Sequence, residues 1–430
     1  MTALDIEGLV LGDESVDDLR QLGHILTGSL AGLGTDWSSI VELARYHGVS
    51  ALLFWRLGQR EGDADGRLSV PLEVVEELQA DFYSAAAHEI RAELQLATVL
   101  GALSAAEVPA LVVKGAALAA YYPDPALRPY SDIDIMVPGA QLDTAEQALS
   151  SLGYRCFASK GWWLDHLHHL PPMVSGNEGL LVELHWGLDY QEDAGRLPAD
   201  DLWARAVPWV AQGEAALRLD AVDAALHLCR HAVVQHRVYG VFRYLCDLAQ
   251  VTRAWGQGEW EMLLRRTLDY ELARPVYLML ILAEQALNLT IPAEVTSVLR
   301  PSGSVPEPDQ LMRGLLGRFR GTPTRVSVGA VQATLEGPFV TRLQRLMGRL
   351  WLPREGMAMV YKIPADSPRI WFTYLWRPID LSRRYGLSAW KALRGEPVAE
   401  VVWRREVWLE RWLRGDGPTD EQQKGWFGKA

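Results

Sequence analysis

Residues 114–137 read KGAALAAYYPDPALRPYSDIDIMV. The stretch ends in an acid–apolar–acid unit, Asp132-Ile133-Asp134, continued by the apolar residues Ile135, Met136 and Val137. On a strand alternate side chains share a face, so Asp132 and Asp134 point the same way, a few ångström apart. Two like charges held that close repel, and a fold seldom keeps them without a cation between them. Upstream, Lys114-Gly115-Ala116-Ala117 places small residues at the start of a helix, a turn that can offer free backbone N–H groups to a phosphate. Between the two lie Pro123, Pro125 and Pro129, which no helix crosses.

Working outward, Ala110–Val113 is a short apolar strand after Pro109, and Gly115 to about Tyr122 is helix. Asp132–Val137 is the next strand, ended by Pro138-Gly139. Asp143–Leu152 is an amphipathic helix stopped at Gly153. Leu180–Trp186 is a third strand, with Glu183 as the carboxylate in its middle. Before this block the pattern is helical, with helices from Trp37 (capped by Asp36 or Ser38), from Ser50, and from Pro71 to about Ala106 at a 3.6-residue spacing. After Asp220 it is helical again, and Ser302–Pro308 has linker composition. The expected class is α+β: a small mixed sheet within residues 108–215, flanked by helical residues 1–107 and 216–300. A Trp- and Arg-rich, mostly helical region fills residues 301–430.

These motifs resemble the nucleotidyltransferase superfamily typified by DNA polymerase beta and the aminoglycoside nucleotidyltransferases. More narrowly, the chain is similar to an uncharacterised bacterial branch whose motif begins Lys-Gly. The broad superfamily opens its helix with Gly-Gly or Gly-Ser; this chain has Lys114-Gly115-Ala116. The phrases Glu42–Val49, Val182–Trp186 and Phe242–Leu248 carry the resemblance further, so that it spans roughly residues 36–255. An Asp-x-Asp alone is usually a solvated edge. Its conjunction with the Lys-Gly turn, Arg128 and the Val-Glu-Leu-His-Trp strand is what carries the reading.

The resemblance implies transfer of a nucleoside monophosphate, AMP foremost, from a nucleoside triphosphate to a hydroxyl or phosphate acceptor, with Mg²⁺ or Mn²⁺. Two divalent ions about 4 Å apart suit that reaction. Asp132 and Asp134 are the candidates to bridge them, with Glu183 as third carboxylate, since a lone acid in an apolar strand is costly to bury unpaired. Lys114, Gly115, Ala116, Arg128 and Ser131 are the candidate phosphate contacts. Each has a plainer reading: Gly115 and Ala116 as small packing residues, Lys114 at the surface, and Ser131 as a turn cap. Arg128 either clamps a phosphate or braces its loop against a carboxylate. His185, on the face of Glu183, either meets the carboxylates and the acceptor or is a satisfied structural histidine. His227 and His231 share a helix face and are expected beside the sheet, with Arg243 and Asp247 as a supporting ion pair. The cluster His166, His168, His169 lacks a second ligand pair at zinc spacing.

Charge is uneven. Residues 341–430 hold 17 Lys and Arg against 10 Asp and Glu, a net of +7, whereas residues 1–340 hold 25 against 44, a net of −19. An acidic body argues against nucleic acid as acceptor and for a small molecule or biosynthetic intermediate. Two alternatives stay open: an inactive relative kept as a nucleotide-binding scaffold, and a modifier of protein or tRNA. The acidic start, without a basic and apolar leader, and the lack of an eighteen-residue apolar run are read as cytoplasmic with no transmembrane segment. Cys156, Cys229 and Cys246 show no metal or redox spacing and read as buried thiols. The tail holds 8 of the 17 tryptophans between Trp351 and Trp426. There Trp403, Trp408 and Trp412 alternate with Arg404, Arg405, Arg411 and Arg414. A core-packing helix, a protein-docking face and a membrane-surface helix all fit that pattern.

Overall fold

The computed structural model describes residues 13–28, 36–59, 70–156, 160–176, 179–189, 196–236, 238, 240–302, 305, 308, 311–312, 351–352, 354–361, 363, 367–383, 408–409 and 411–415. The chain divides into two compact units: Asp18–His236 with Gly240–Arg300, and Pro301–Ala430 with Met1–Asp17 and Arg237–Tyr239. The larger unit carries a mixed sheet and all of the residues discussed as a site.

Helices α1 (Asp13–Thr27), α2 (Trp37–Tyr46), α3 (Ser50–Gly58) and α4 (Leu72–Ala105) come first. Asp36 caps α2, its carboxylate accepting from the Ser38 and Ser39 amides at 3.1 and 3.3 Å. Strand β1 (Leu111–Val112), helix α5 (Gly115–Ala119), strand β2 (Asp132–Met136) and helix α6 (Leu142–Ser151) follow. Helix α5 stops three residues short of the expected Tyr122. Pro123 disfavours helical backbone at the residue before it, so the chain leaves the helix as a turn, Tyr122 N–H donating to Ala119 O.

The remaining elements of this unit are β3 (Tyr154–Cys156), α7 (Gly161–His166), β4 (Met173–Ser175), β5 (Leu181–His185), α8 (Ala199–Arg205), β6 (Val207–Ala211), β7 (Glu214–Arg218), α9 (Ala221–Arg230), α10 (Phe242–Thr252), α11 (Gln257–Asp269), α12 (Ala273–Leu287) and α13 (Ala293–Leu299). The sheet has seven strands in the order β3-β4-β5-β2-β1-β7-β6, where sequence pattern gives three. Strands β3 and β4 are too short to show alternation. The β6–β7 hairpin turns on Gln212 and Gly213, both with positive φ (50° and 89°), the geometry a two-residue hairpin needs. Strand β2 pairs antiparallel with β1 and parallel with β5.

One face of the sheet is apolar. Val112, Ile133, Ile135, Val182 and Leu184 bury against Ala92, Leu96, Val99, Leu100 and Leu103 of α4 and against Ala145 and Leu149 of α6. Burial of such side chains is worth about 1.5–3 kcal/mol each, which fixes α4 across the sheet. Alternation then sends Asp132, Asp134, Glu183 and His185 to the opposite face.

In the smaller unit, α14 (Arg354–Tyr361) and α15 (Ile370–Leu381) pack through Met357, Ala358 and Ile370. Trp408 and Trp412 are buried and stacked, with ring centroids 5.6 Å apart, beside half-buried Arg411 and exposed Arg414. Trp403, Arg404 and Arg405 lie outside the described residues. Among the described residues no helix is long and apolar enough to cross a membrane.

Candidate functional site

The parallel register of β2 with β5 sets Asp134 directly opposite Glu183, and Met136 opposite His185. His185 reaches back across the pair: its Nε2 lies 2.9 Å from Asp134 Oδ1 and 3.5 Å from Glu183 Oε2. Ligand atoms of Asp134, Glu183 and His185 all lie within 4.8 Å of one another. Asp132 begins the strand on the same face, half-buried, and stands outside that trio of close donors.

Lys114, at the N-terminal cap of α5, brings an ammonium into the site. Its Nζ is 2.8 Å from Asp134 Oδ1, and only 18% of its side chain is exposed. Burial pushes the Asp134 carboxyl up, but the Lys114 charge and the His185 hydrogen bond outweigh it and hold Asp134 well below the usual carboxylate range. Asp132 moves the other way, raised first by burial and then by the negative charge of Asp134. Burial lowers Lys114, yet Asp134, Glu183 and Asp132 together keep it raised and charged.

Gly115 makes the turn that brings Lys114 in. Its φ is +41°, and a Cβ there would meet Asp132 O and the Tyr130 ring, both at 3.2 Å. Only glycine accepts both the conformation and the close approach. Ala116 is buried on the core side, and Ser131 is exposed at the entry to β2.

Arg128 is in the bracing position. Its guanidinium is buried on Asp247 of α10, with Nη2 2.9 Å from Oδ2 and Nε 3.1 Å from Oδ1. Tyr122 donates its hydroxyl to the same carboxylate at 2.8 Å. The expected Arg243–Asp247 pair is replaced by this one, because Asp247 faces the loop interior. Arg243 instead donates to Pro129 O at 3.3 Å. Two arginine contacts thus tie α10 to the loop that delivers β2.

The pattern of histidines was only partly anticipated. His168 and His169 close on His185, with ring centroids 5.5 and 4.9 Å away, and an isolated bridge pairs His169 with His185. His169 Nδ1 stands 3.8 Å from Glu183 Oε2. Burial and then the charge on His185 push His168 down to about 2 and His169 to about 4, so both are neutral. On α9, His227 is buried with Nε2 lacking a hydrogen-bond partner among the described residues. Burial, then the Lys114 charge, drives it well below the usual imidazole value, and Asp134 and His185 act on it as well. His231 stacks on His227 at 5.5 Å, and its Nε2 is 2.9 Å from His236 Nε2. His231 opens a π-helical turn, His231–Gln235, an irregularity frequent at functional sites. The adjacent His168-His169 pair was a signal in the sequence, but nothing in its spacing shows that it faces β5.

A mixed sheet with paired acids on its polar face and a lysine-bearing turn beside them is the arrangement of a nucleotidyltransferase core. Residues 34–288, more than half the chain, match the family described as uncharacterised nucleotidyltransferase, and the chain belongs to that family. Among curated proteins, no sequence matches it.

Proposed function

We propose that the protein transfers a nucleoside monophosphate, AMP foremost, from a nucleoside triphosphate to a small-molecule hydroxyl or phosphate. The observation that carries the reading is the register pairing of Asp134 with Glu183, beside Lys114, in a chain of this family. Asp132, Asp134 and Glu183 bring three formal negative charges to one sheet face against the ammonium of Lys114 and the imidazole of His185, which burial lowers but Asp134 and Glu183 raise above its ordinary value; Arg128 is engaged with Asp247. The remaining negative charge favours a divalent cation, and the hard carboxylate oxygens of Asp134 and Glu183 suit Mg²⁺ or Mn²⁺.

Asp134 and Glu183 would hold the metal, with Asp132 completing the set from the start of β2. Bound there, a divalent ion neutralises charge on the triphosphate and lowers the pKa of the attacking group. Lys114 would meet phosphate oxygens as a point charge, and Gly115 would let its turn approach them closely. Arg128 contributes by fixing the loop rather than by reaching the nucleotide. The acceptor oxygen forms a bond to the α-phosphorus, the bond from that phosphorus to the bridging oxygen breaks, and pyrophosphate leaves. The acceptor's proton passes to a basic group beside it.

The ion pair of Lys114 with Asp134 also favours a second reading, nucleotide binding without transfer. Pyrophosphate release separates the two. Each of the four triphosphates is incubated with Mg²⁺ or Mn²⁺ and candidate acceptors, using wild type and Asp134→Asn. Release that depends on metal and is lost in the variant supports transfer. Binding without release supports the scaffold reading, and the absence of both refutes a nucleotide site.

A further inference from the structure

Helix α15 is built inside out. Its inward side chains are Ile370, Thr373, Arg377 and Asp380, three of them polar. Its solvent side carries Trp371, Phe372, Leu375, Trp376 and Ile379, exposed by 62, 73, 76, 43 and 51%. These five positions fall on one helical face, the face that a surface helix ordinarily fills with polar residues.

The orientation is fixed by specific contacts. Ile370 packs on Met357 and Ala358 of α14. Tyr361 donates its hydroxyl to Asp380 at 2.9 Å, and Tyr374 donates to Leu352 O at 3.0 Å. Rotating the helix to hide its apolar face would break all of these. The exposed apolar area is on the order of several hundred Å², the size at which a patch marks an interaction site rather than scatter.

Arginines edge this face. The Arg354 guanidinium lies 5.7 Å over the Trp371 ring and that of Arg383 5.7 Å over the Trp376 ring, while Arg369 is exposed at the helix start. Trp351, ahead of α14, is exposed as well. The segment containing them, residues 341–430, has a net charge of +7 in a chain of net −12. An apolar stripe of Trp, Phe, Leu and Ile with arginines at its margins matches the boundary between anionic headgroups and acyl chains. We infer that α15 docks the protein on an anionic phospholipid surface, lying in the membrane plane with Phe372 and Leu375 at the centre of the buried stripe.

The test is flotation of the full chain with vesicles of phosphatidylcholine, with and without phosphatidylglycerol, at low and high salt. Wild type is expected to float with the anionic vesicles and to be released by salt. Phe372→Glu/Leu375→Glu is expected to lower binding about tenfold or more, and Arg354→Glu/Arg383→Glu to weaken it selectively on anionic vesicles. Both variants change exposed side chains, and unaltered melting temperatures confirm that they fold. Wild type left in the soluble fraction overturns the inference, as does binding that survives both variants or is equal on neutral vesicles. Self-association abolished by Phe372→Glu/Leu375→Glu, without flotation, makes the face a protein interface and likewise overturns it.

Discussion

Arg128 and Asp247 stand 119 residues apart in the chain, yet form a buried two-point ion pair closing at 2.9 Å. The pair fastens the loop that carries β2 to α10, and through Arg128 Nη1 touches Gly115 O at 3.4 Å. One guanidinium therefore registers both the lysine-bearing turn and the acid-bearing strand against a helix.

Removing one partner leaves the other charge buried without compensation. Arg128→Ala or Asp247→Ala is expected to cost about 3–5 kcal/mol of stability by denaturant titration. Arg128→Met/Asp247→Leu should recover much of that loss. A double variant as unstable as the sum of its singles would show that the pair acts through packing rather than charge.

Substitution at the acids separates chemistry from folding. Asp134→Asn and Glu183→Gln are expected to reduce pyrophosphate release by at least about a hundredfold, with circular dichroism unchanged. Unaltered release in either variant removes that residue from the proposed site.

A metal ion held as proposed would compete with Lys114 for Asp134. Lys114→Gln should therefore bind Mn²⁺ more tightly without nucleotide, while binding triphosphate more weakly, both read by calorimetry. Unchanged affinity for both ligands would make Lys114 a structural counter-ion only.

The backbone at Gly115 strains any side chain. Gly115→Ala is expected to cost about 1–2 kcal/mol from its left-handed conformation, with further strain against Asp132 O. A lowered melting temperature accompanied by lost triphosphate binding would tie the strain to the turn; a wild-type melt would refute it.

Glu89 of α4 confers a pH dependence. Burial, and then the charge on Glu93, pushes its carboxyl up to about 8 from an ordinary 4.5. Between those values the folded chain holds a proton that the unfolded chain has released, so stability from this group falls as pH rises and levels off above about 8. Glu89→Gln keeps the shape without the titration. Its melting temperature should exceed wild type at pH near 8 and converge with it toward pH near 4.5. Parallel curves would exclude Glu89 as the source.

Much of this site is legible in the sequence because it is built on period two. Asp132, Asp134, Glu183 and His185 declare a common polar face through their alternation with Ile133, Ile135, Val182 and Leu184. The strand pairing that joins them is not legible, since the 3.6-residue and two-residue periods say nothing of which strands are neighbours. The partner of Arg128 was likewise hidden: a loop arginine is compatible with phosphate or carboxylate until α10 is placed. His168 and His169 read as a weak metal motif, and only the bridge to His185 shows where they face. The inverted α15 is a different case. The Trp- and Arg-rich composition of this region is legible, but not which face of α15 packs inward; the hydrogen bond of Tyr361 to Asp380 and the packing of Ile370 set that.

The parallel register of β2 and β5 makes the two strands unequal in their evolutionary freedom to the segment between them. The pairing of Asp134 with Glu183 is set by β2 and β5 themselves, so length changes in the loops that join α6, β3, α7 and β4 between them need not move the acids. A single-residue deletion inside Leu181–His185 is another matter, because it would turn Glu183 into the apolar layer and present Leu184 or Val182 to the polar face. Related sequences should accumulate length variation in those loops and almost none within the two five-residue strands.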